Sequence, residues 1–260
     1  MNNVTCILYG GLGNQLFQIL TTIAFSIRHN MNYVFLYTNN LGKRQTYWHT
    51  LLRPILDHTM DTICFGDYIQ INEGDAAFRN PPPDTNIVLN GYFQSYKFFE
   101  NEIETNFQML EIPDTKSLSN TVSIHFRLGD YKQLQDCHPI MEIDYYKNAL
   151  YYILLMDPRV DRVCYFCEDE DIDTVGNNID ALKQEFSEIN FERVRESSDW
   201  EEMLSMSRCT HNIIANSSFS WWGAYLNRNP DKMVCYPSTW FGPSIPKDVA
   251  AMFPEKWIKI

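Results

Sequence analysis

The chain has 260 residues, of which 45% are hydrophobic, and its formal net charge is −12. This length suits one large domain or two compact halves, and the apolar content is sufficient for real cores. The negative charge and the dispersed basic residues argue against a nucleic-acid partner, because the phosphate backbone favours clustered Lys and Arg.

The sequence also limits where the protein acts. No run of about 18 apolar residues, the length needed to span a bilayer, occurs in it. The N-terminus lacks the positively charged segment of a signal peptide. Seven cysteines, without the spacing of a disulfide framework, fit a reducing compartment. We therefore expect a cytoplasmic protein without a transmembrane segment, and peripheral association with a membrane stays open.

Short apolar runs alternate with longer helical patterns, which is typical of an α/β fold with mostly parallel strands. The N-terminal half contains strand 4–9, helix 14–28, strand 33–37, strand 87–93 and helix 97–108 as predicted elements. The buried face of the first helix is predicted to comprise Leu16, Leu20, Ile23 and Ile27.

A polar, Ser-rich stretch at residues 113–120 is the candidate hinge between two halves. We therefore predict a first domain at residues 1–115 and a second at residues 116–260. The predicted elements of the second domain are strand 122–127, helix 144–155, strand 163–167, a helix from about Asp180, helix 199–207, strand 212–215, a helix beginning at Ser217-Ser218 and strand 233–236.

A glycine-rich turn, Gly10-Gly11-Leu12-Gly13, follows the first strand and precedes Asn14-Gln15. Glycines between a strand and a helix let the backbone approach a ligand, and the helix N-terminus favours an anion. The dinucleotide-binding fingerprint is incomplete, because Leu16 stands where a third Gly is expected and the second strand lacks its acid. A tight turn without a ligand is the alternative interpretation.

Two basic side chains mark the end of strand 122–127. The alternation of a strand points His125 and Arg127 to the same side, and ligands of open α/β sheets bind beyond the carboxyl ends of strands. Arg offers a planar fork to phosphate oxygens, and Gly129 frees the turn that follows. An ion pair between Arg127 and a carboxylate is the structural alternative.

Polar residues also follow strand 212–215, in Asn216-Ser217-Ser218-Phe219. A serine at the start of a helix either caps that helix or joins its backbone N–H groups in holding a phosphate. Both interpretations stay open on these residues alone. Trp221 and Trp222, which come next, are expected in the core because of the area they bury.

An acidic run, Glu168-Asp169-Glu170-Asp171, follows strand 163–167. It fits a solvated helix N-terminus, an Asp-x-Asp site for Mg²⁺ or Mn²⁺, or a carboxylate that accepts the two N–H donors of a guanine edge. Composition does not choose among the three. Cys164 and Cys167 precede the run, three residues apart on a strand, so we expect them on opposite faces and unable to bind one metal.

Together these segments resemble the bacterial-type α-1,2-fucosyltransferases of glycosyltransferase family 11. The motifs that carry the resemblance lie at residues 10–18, 125–131, 199–209, 216–226 and 236–241, in order over nearly the whole chain. The resemblance implies a GT-B-like α/β fold, with two Rossmann-type halves, mostly parallel sheets and a cleft between the halves. It also implies acceptor contacts from the first half and donor contacts from the second.

The same resemblance implies GDP-β-L-fucose as the donor, a carbohydrate such as a galactoside as the acceptor, inversion to an α-linked product, and neither a metal nor another cofactor. Where relatives commonly show Phe-Ser-Asp-Asp, this chain has Phe166-Cys167-Glu168-Asp169, so Glu168 or Asp169 would accept from guanine. The other substrate-binding residues carried over are Asn14, Gln15, His125, Asn216, Ser217, Ser218 and Phe219.

Two residues are predicted to be catalytic. Arg127 would stabilise the charge of the GDP leaving group, because no metal is expected to do so. Asp130 is the candidate general base, and its alternative role is to accept backbone N–H groups within its turn. The functional alternatives are a fucosyltransferase of another linkage, a metal-dependent transferase using Asp169-Glu170-Asp171 and a non-catalytic glycan-binding protein.

Overall fold

The computed structural model describes residues 2–112 and 117–260. Contacts divide the chain into two compact units, unit 1 at residues 1–113 and unit 2 at residues 114–260. Part of the predicted hinge, and with it the predicted boundary between residues 115 and 116, lies outside the described residues. Within the described residues, no helix combines the length and the apolar character needed to cross a bilayer.

Unit 1 is an α/β unit with a parallel four-stranded sheet. Its helices are α1 (Leu12–His29) and α2 (Ile103–Met109), and its strands are β1 (Asn3–Cys6), β2 (Asn32–Tyr33), β3 (Phe35–Leu36), β4 (Asn40–Leu41), β5 (Arg44–Gln45), β6 (Thr59–Met60), β7 (Tyr68–Asn72) and β8 (Asn86–Asn90). The main sheet has the order β2-β1-β8-β7, and the pairs β3-β6 and β4-β5 lie apart from it.

Helix α1 supplies much of the core of unit 1. Leu16, Leu20 and Ile23 are each at most 2% exposed, as predicted. The prediction for Ile27 was wrong, because this side chain is 41% exposed. Burial ends at Ser26, and the last turn of the helix, which contains Ile27, lies at the surface.

The extended segment predicted as one strand over residues 33–37 changes partner along its length. Tyr33 pairs with Val4 of β1, whereas Phe35 and Leu36 pair with β6. The structure therefore contains two short strands in place of one. The helix predicted over residues 97–108 likewise begins as two 3₁₀ turns, Tyr96–Phe98 and Glu100–Glu102, before α2.

Unit 2 is an α/β unit with a six-stranded parallel sheet. Its helices are α3 (Ile143–Met156), α4 (Ile172–Glu185), α5 (Asp199–Ser207) and α6 (Ser218–Tyr225), and its strands are β9 (Thr121–His125), β10 (Arg162–Phe166), β11 (Asn190–Arg193), β12 (His211–Ile213), β13 (Val234–Tyr236) and β14 (Ile258–Lys259). The strand order is β11-β10-β9-β12-β13-β14.

Strand β9 lies at the centre of this sheet and all five of its residues are buried. Val122, Ile124 and Phe126 belong to one core cluster with the inner side chains of α3 and α4. Because strand side chains alternate, His125 and Arg127 project from the opposite face. One face of β9 therefore packs in the core, and the polar side chains of His125 and Arg127 lie on the other face at the end of the strand.

Cys164, within β10, and Cys167, just after it, lie on opposite faces of the sheet, as predicted. Cys167 belongs to the core cluster that contains Val163, whereas Cys164 packs with Met206 and Cys209. All seven cysteines of the chain are free thiols. Trp221 and Trp222 of α6 are fully buried, which confirms that they are core residues.

Helix α4 begins earlier than its predicted start at about Asp180. The acidic residues Asp169–Asp171 form a 3₁₀ turn that leads directly into Ile172. Carboxylates are favourable at this end because the helix dipole is positive there. The interpretation as a solvated helix N-terminus therefore holds for Glu168, Asp169 and Glu170, which are exposed, and was wrong for Asp171, which is buried.

Candidate functional site

The sheet of unit 2 has a topological switch point between β9 and β12. From β9 the chain proceeds to β10 and β11 on one side of the sheet, and it then returns to β12 on the other side of β9. The loops that follow β9 and β12 therefore leave in opposite directions. In open α/β sheets the crevice between two such loops is the usual ligand site.

His125 ends β9 at this crevice and is 7% exposed. Its ring lies 5.5 Å from that of Phe219, and its backbone carbonyl accepts a hydrogen bond from the Tyr146 hydroxyl at 3.2 Å. Burial, followed by the nearby charge of Arg127, lowers the pKa of His125 to about 3. Its Nδ1 is buried without a hydrogen-bond partner among the described residues. The ring is neutral at physiological pH and can give or take a hydrogen bond.

Arg127 lies just beyond the strand, with its side chain 16% exposed. Its guanidinium donates to Glu168 through Nη1 and to Asp130 through Nη2. The same group lies over the Tyr131 ring, 5.0 Å from its centroid. Arg127 thus lies at the strand end, as predicted. It also forms the ion pair with a carboxylate that was the alternative interpretation.

Tyr131 and Asn216 join the two loops of the crevice. The Tyr131 hydroxyl donates to the Asn216 carbonyl at 3.1 Å, and its ring stacks on His138 at 4.7 Å. The Asn216 side-chain amide donates to the carbonyls of Pro139, at 2.8 Å, and Trp240, at 3.1 Å. Asn216 is 2% exposed, so these bonds hold the loops in place.

The start of α6 forms the other wall of the crevice. The Ser217 hydroxyl accepts a hydrogen bond from the Phe219 backbone N–H at 3.3 Å, so Ser217 caps the helix. Ser217 is buried, whereas Ser218 and Phe219 are partly exposed. The capping interpretation is therefore confirmed, and the positive end of the helix dipole points out of the sheet edge where an anion is favourable.

The acids that would form an Asp-x-Asp metal site point to different partners. Asp169 forms ion pairs with Arg193 at 2.7 Å and Arg195 at 2.5 Å. Asp171 is 1% exposed and pairs with Lys132 at 2.5 Å. Across residues 2–112 and 117–260, no three His, Cys, Asp or Glu side chains are grouped so that they could hold a metal ion.

The predicted glycine-rich turn of unit 1 follows β1, which pairs with both β2 and β8. Gly10 follows β1 with φ +84°, and a Cβ on it would lie 2.6 Å from the Asn14 amide nitrogen. Asn14 accepts a hydrogen bond from the Gln94 side chain at 2.9 Å. Gln15 is fully buried and donates to the carbonyls of Gly10, at 3.1 Å, and Gln45, at 2.8 Å. Asn14 therefore lines the loop, whereas Gln15 holds it.

Three residues at these sites were not predicted. Gln94 positions Asn14, and its signal was a polar residue just beyond strand 87–93, where the carboxyl-end rule applies as it does to His125. Tyr131 belongs to the motif at residues 125–131, yet the contact of its ring with Arg127 depends on how the turn after β9 folds. His138 follows Tyr131 within the same loop region, and the path of that region, which no sequence pattern indicated, brings the two rings together.

The family model for glycosyl transferase family 11 matches residues 49–260. The chain belongs to glycosyl transferase family 11. The match contains all of the site residues of unit 2, whereas the glycine-rich turn and Asn14 precede it. Membership in family 11 makes this protein a glycosyltransferase and confirms the family predicted from its motifs.

Two relatives from Escherichia coli extend the comparison. O-antigen biosynthesis glycosyltransferase WbnK is 36% identical over 126 residues, which cover 47% of this chain and 40% of WbnK. The match thus spans less than half the length of WbnK. An alpha-1,2-colitosyltransferase is 24% identical over 299 aligned positions, which cover 100% of this chain and 99% of that relative.

Solved structures of low sequence identity share the fold of this family 11 chain. The apo-form of POFUT1 is 10% identical and has a TM-score of 0.50, with 90% of this chain and 97% of POFUT1 covered. At that identity the similarity shows the fold alone. The predicted GT-B-like α/β fold class with mostly parallel sheets is confirmed.

Proposed function

We propose that this family 11 protein transfers L-fucose from GDP-β-L-fucose to a galactoside hydroxyl, with inversion, to form an α-1,2 linkage. One observation carries the proposal: Arg127 lies at the switch point of unit 2, opposite the start of α6. That pair of features suits a diphosphate, since Arg binds phosphate oxygens in a fork and a helix N-terminus favours anions.

The charge of the leaving group explains why Arg127 would be catalytic. Cleavage of the bond between fucose and phosphate produces an oxocarbenium-like sugar and places extra negative charge on GDP. Fixed positive groups that face this charge stabilise the transition state. We assign this role to Arg127, with Ser217, Ser218 and the N-terminus of α6 as further phosphate contacts.

The remaining donor contacts follow from the surroundings of each side chain. His125, neutral because of its low pKa, would hydrogen-bond to the nucleotide diphosphate. Phe219 lies beside that ring and offers an apolar surface to the donor. Glu168 or Asp169 would accept the N–H groups of guanine, which requires either carboxylate to leave its present arginine partner.

The acceptor hydroxyl has to lose a proton, and Asp130 is the proposed general base. Its carboxylate is 45% exposed and is held by Arg127, three residues earlier. Proton transfer to a departing phosphate oxygen is the alternative route and needs no side-chain base. We assign donor binding to residues 116–260 and acceptor contacts to residues 1–115, through Asn14, whose loop is held by the buried Gln15.

We further propose that the reaction needs no metal and takes place in the cytoplasm. Asp169 and Asp171 are each occupied by basic side chains and point to different partners, which supports the first part. Five of the seven free cysteines are buried, and this thiol-rich composition suits a reducing compartment.

A second donor, GDP-colitose, follows from the comparison with the alpha-1,2-colitosyltransferase, whose alignment covers 100% of this chain. Colitose is fucose without the 3-hydroxyl group. A site that hydrogen-bonds this hydroxyl rejects the deoxy sugar strongly, because the polar groups of the protein are then left unpaired. The two donors are therefore distinguishable by their relative rates.

The experiment incubates the full chain with GDP-fucose or GDP-colitose and a panel of galactosides, with and without EDTA. NMR then locates the new linkage. We expect an α-1,2-fucosylated product that forms equally well in EDTA. A product from GDP-colitose alone would change the donor assignment, and loss of activity in EDTA that Mg²⁺ or Mn²⁺ restores would support the metal-dependent alternative. No transfer from either donor would contradict the proposed function.

A further inference from the structure

Arg127, the residue proposed to bind the diphosphate, is already bound to two carboxylates. Nη1 donates to Glu168 and Nη2 donates to Asp130. A guanidinium binds a diphosphate through these same outer nitrogens, in the paired geometry that makes Arg a good phosphate ligand. Glu168 and Asp130 therefore occupy the positions that phosphate oxygens need.

Glu168 also lies against the turn that follows Arg127. Gly129 has φ +36°, and a Cβ built on it would lie 2.7 Å from Glu168 Oε2. The missing side chain of Gly129 is thus the space that the Glu168 carboxylate fills. One carboxylate thus contacts both the guanidinium that is proposed to bind the diphosphate and the glycine of the turn beside it.

The charges make this arrangement incompatible with a bound diphosphate. Arg127 with its two carboxylates carries one net negative charge, and the diphosphate of a nucleotide sugar is itself an anion. Like charges a few ångströms apart repel each other, and the repulsion is stronger where solvent is partly excluded. A carboxylate has to leave before the donor binds.

Both carboxylates on Arg127, Glu168 and Asp130, are 45% exposed, and Glu168 is the one that also fills the space beside Gly129. Asp171 is 1% exposed and accepts from both Lys132 and the Gly129 backbone N–H, at 2.8 Å for the latter. Asp169 is held by two arginines. Glu168, by contrast, is 45% exposed, and Arg127 is its ion-pair partner. Rotation of the Glu168 side chain into solvent frees Nη1 of Arg127, while Asp130 stays on Nη2.

We propose that Glu168 is an exchangeable counter-ion that occupies the diphosphate position of the empty site and is displaced by the donor. This inference rests on the proposed function, because it assumes that Arg127 binds a diphosphate. A small anion contacts only Arg127 and its turn, and displacement of Glu168 offsets most of that binding. A nucleotide sugar recovers part of this cost, because the released Glu168 carboxylate can accept the N–H groups of guanine, which an inorganic anion lacks. Glu168 thereby sets a preference for nucleotide diphosphates over inorganic anions.

The test measures binding of inorganic pyrophosphate and of GDP by calorimetry, with the full chain and its Glu168→Gln variant. Pyrophosphate lacks guanine, so a contact between Glu168 and the base does not affect it. We expect Glu168→Gln to bind pyrophosphate about tenfold more tightly than the parent, as removal of one charge near the ligand predicts. The ratio of pyrophosphate to GDP dissociation constants should fall accordingly.

Glu170→Gln is the matched control. It removes the same charge from an exposed side chain that lies two residues after Glu168. We expect its pyrophosphate affinity to stay within about twofold of the parent value, since solvent and salt screen exposed charges. If Glu168→Gln does not fold, Glu168→Ala gives the same measurement.

Each outcome has a distinct meaning. Unchanged or weaker pyrophosphate binding by the Glu168 variant, in a parent protein that binds GDP, would overturn this inference alone. A similar gain in the Glu170 variant would also overturn it, since the effect would then be general electrostatics. A parent protein that does not bind GDP would instead contradict the proposed function.

Discussion

His125, at the end of a central strand, and Arg127, just beyond it, project from the same face. Their surroundings nevertheless keep the first neutral and the second positively charged. The His125 ring is buried and its pKa falls to about 3, chiefly through burial. Arg127 has two carboxylates beside it and keeps its charge. A neutral hydrogen-bonding ring next to a fixed cation suits the proposed binding of a diphosphate.

The low pKa of His125 predicts how stability responds to acid. An unfolded histidine takes up its proton at about pH 6.5, whereas the folded one does so only near pH 3. Between these values the unfolded state binds more protons, so stability is full above pH 6.5 and is lost as the pH falls towards 3. The loss should approach about 1 kcal/mol per pH unit within this window.

Urea unfolding of the parent and of His125→Gln from pH 7 to pH 4.5 tests this prediction. The difference in the free energy of unfolding between the two proteins should shrink as the pH falls. A constant difference over this range would mean that the His125 ring is not held neutral by the fold.

At the scale of elements, two helical glycines of unit 2 have different surroundings. Gly223 of α6 faces α5, and a Cβ on it would lie 2.9 Å from the Cβ of Met206. Gly176 of α4 has open space at the same position. The close packing of α5 on α6 requires a glycine at position 223. This packing fixes α6, whose N-terminus faces the site.

The same substitution should therefore have opposite effects in the two helices. Gly176→Ala should stabilise the protein by about 0.5–1 kcal/mol, because alanine favours a helix over the unfolded chain. Gly223→Ala should destabilise it by about 1–3 kcal/mol, because the added methyl overpacks a tight contact. Chemical denaturation measures both. Stabilisation by Gly223→Ala would show that α5 and α6 move apart without cost.

Several elements of the structure could be predicted because their patterns are local. Helix α5 has the predicted bounds of residues 199–207, and β9 carries the polar residues expected at its carboxyl end. The strands β7 and β11 were missed because each buries a single residue, Ile71 and Phe191 respectively. An edge strand with one buried side chain has no clear alternation along the sequence.

The site was predictable in its residues and much less so in their contacts. The sequence placed His125, Arg127 and Ser217 at strand ends, where the sheet order then makes a crevice. It did not predict that Glu168 would pair with Arg127, because that contact joins loops 41 residues apart along the chain. Nor did it predict the buried bonds of Asn216, which depend on the positions of the loops around Pro139 and Trp240.

For the molecule as a whole, the proposed transfer reaction rests on the charge of Arg127. The protein carries a formal net charge of −12, so an anionic donor has to be held by local groups against an unfavourable overall field. Arg127 lies where the proposed leaving group develops its charge. Its contribution should therefore appear in the rate of transfer.

The most direct measurement compares kcat/KM for fucosyl transfer between the parent, Arg127→Ala and Arg159→Ala. Arg159 is a matched control, since its side chain is 78% exposed and it pairs with Asp157. The account predicts a loss of about 10²–10³-fold for Arg127→Ala and little change for Arg159→Ala. A folded Arg127→Ala protein that transfers fucose at the parent rate would contradict it.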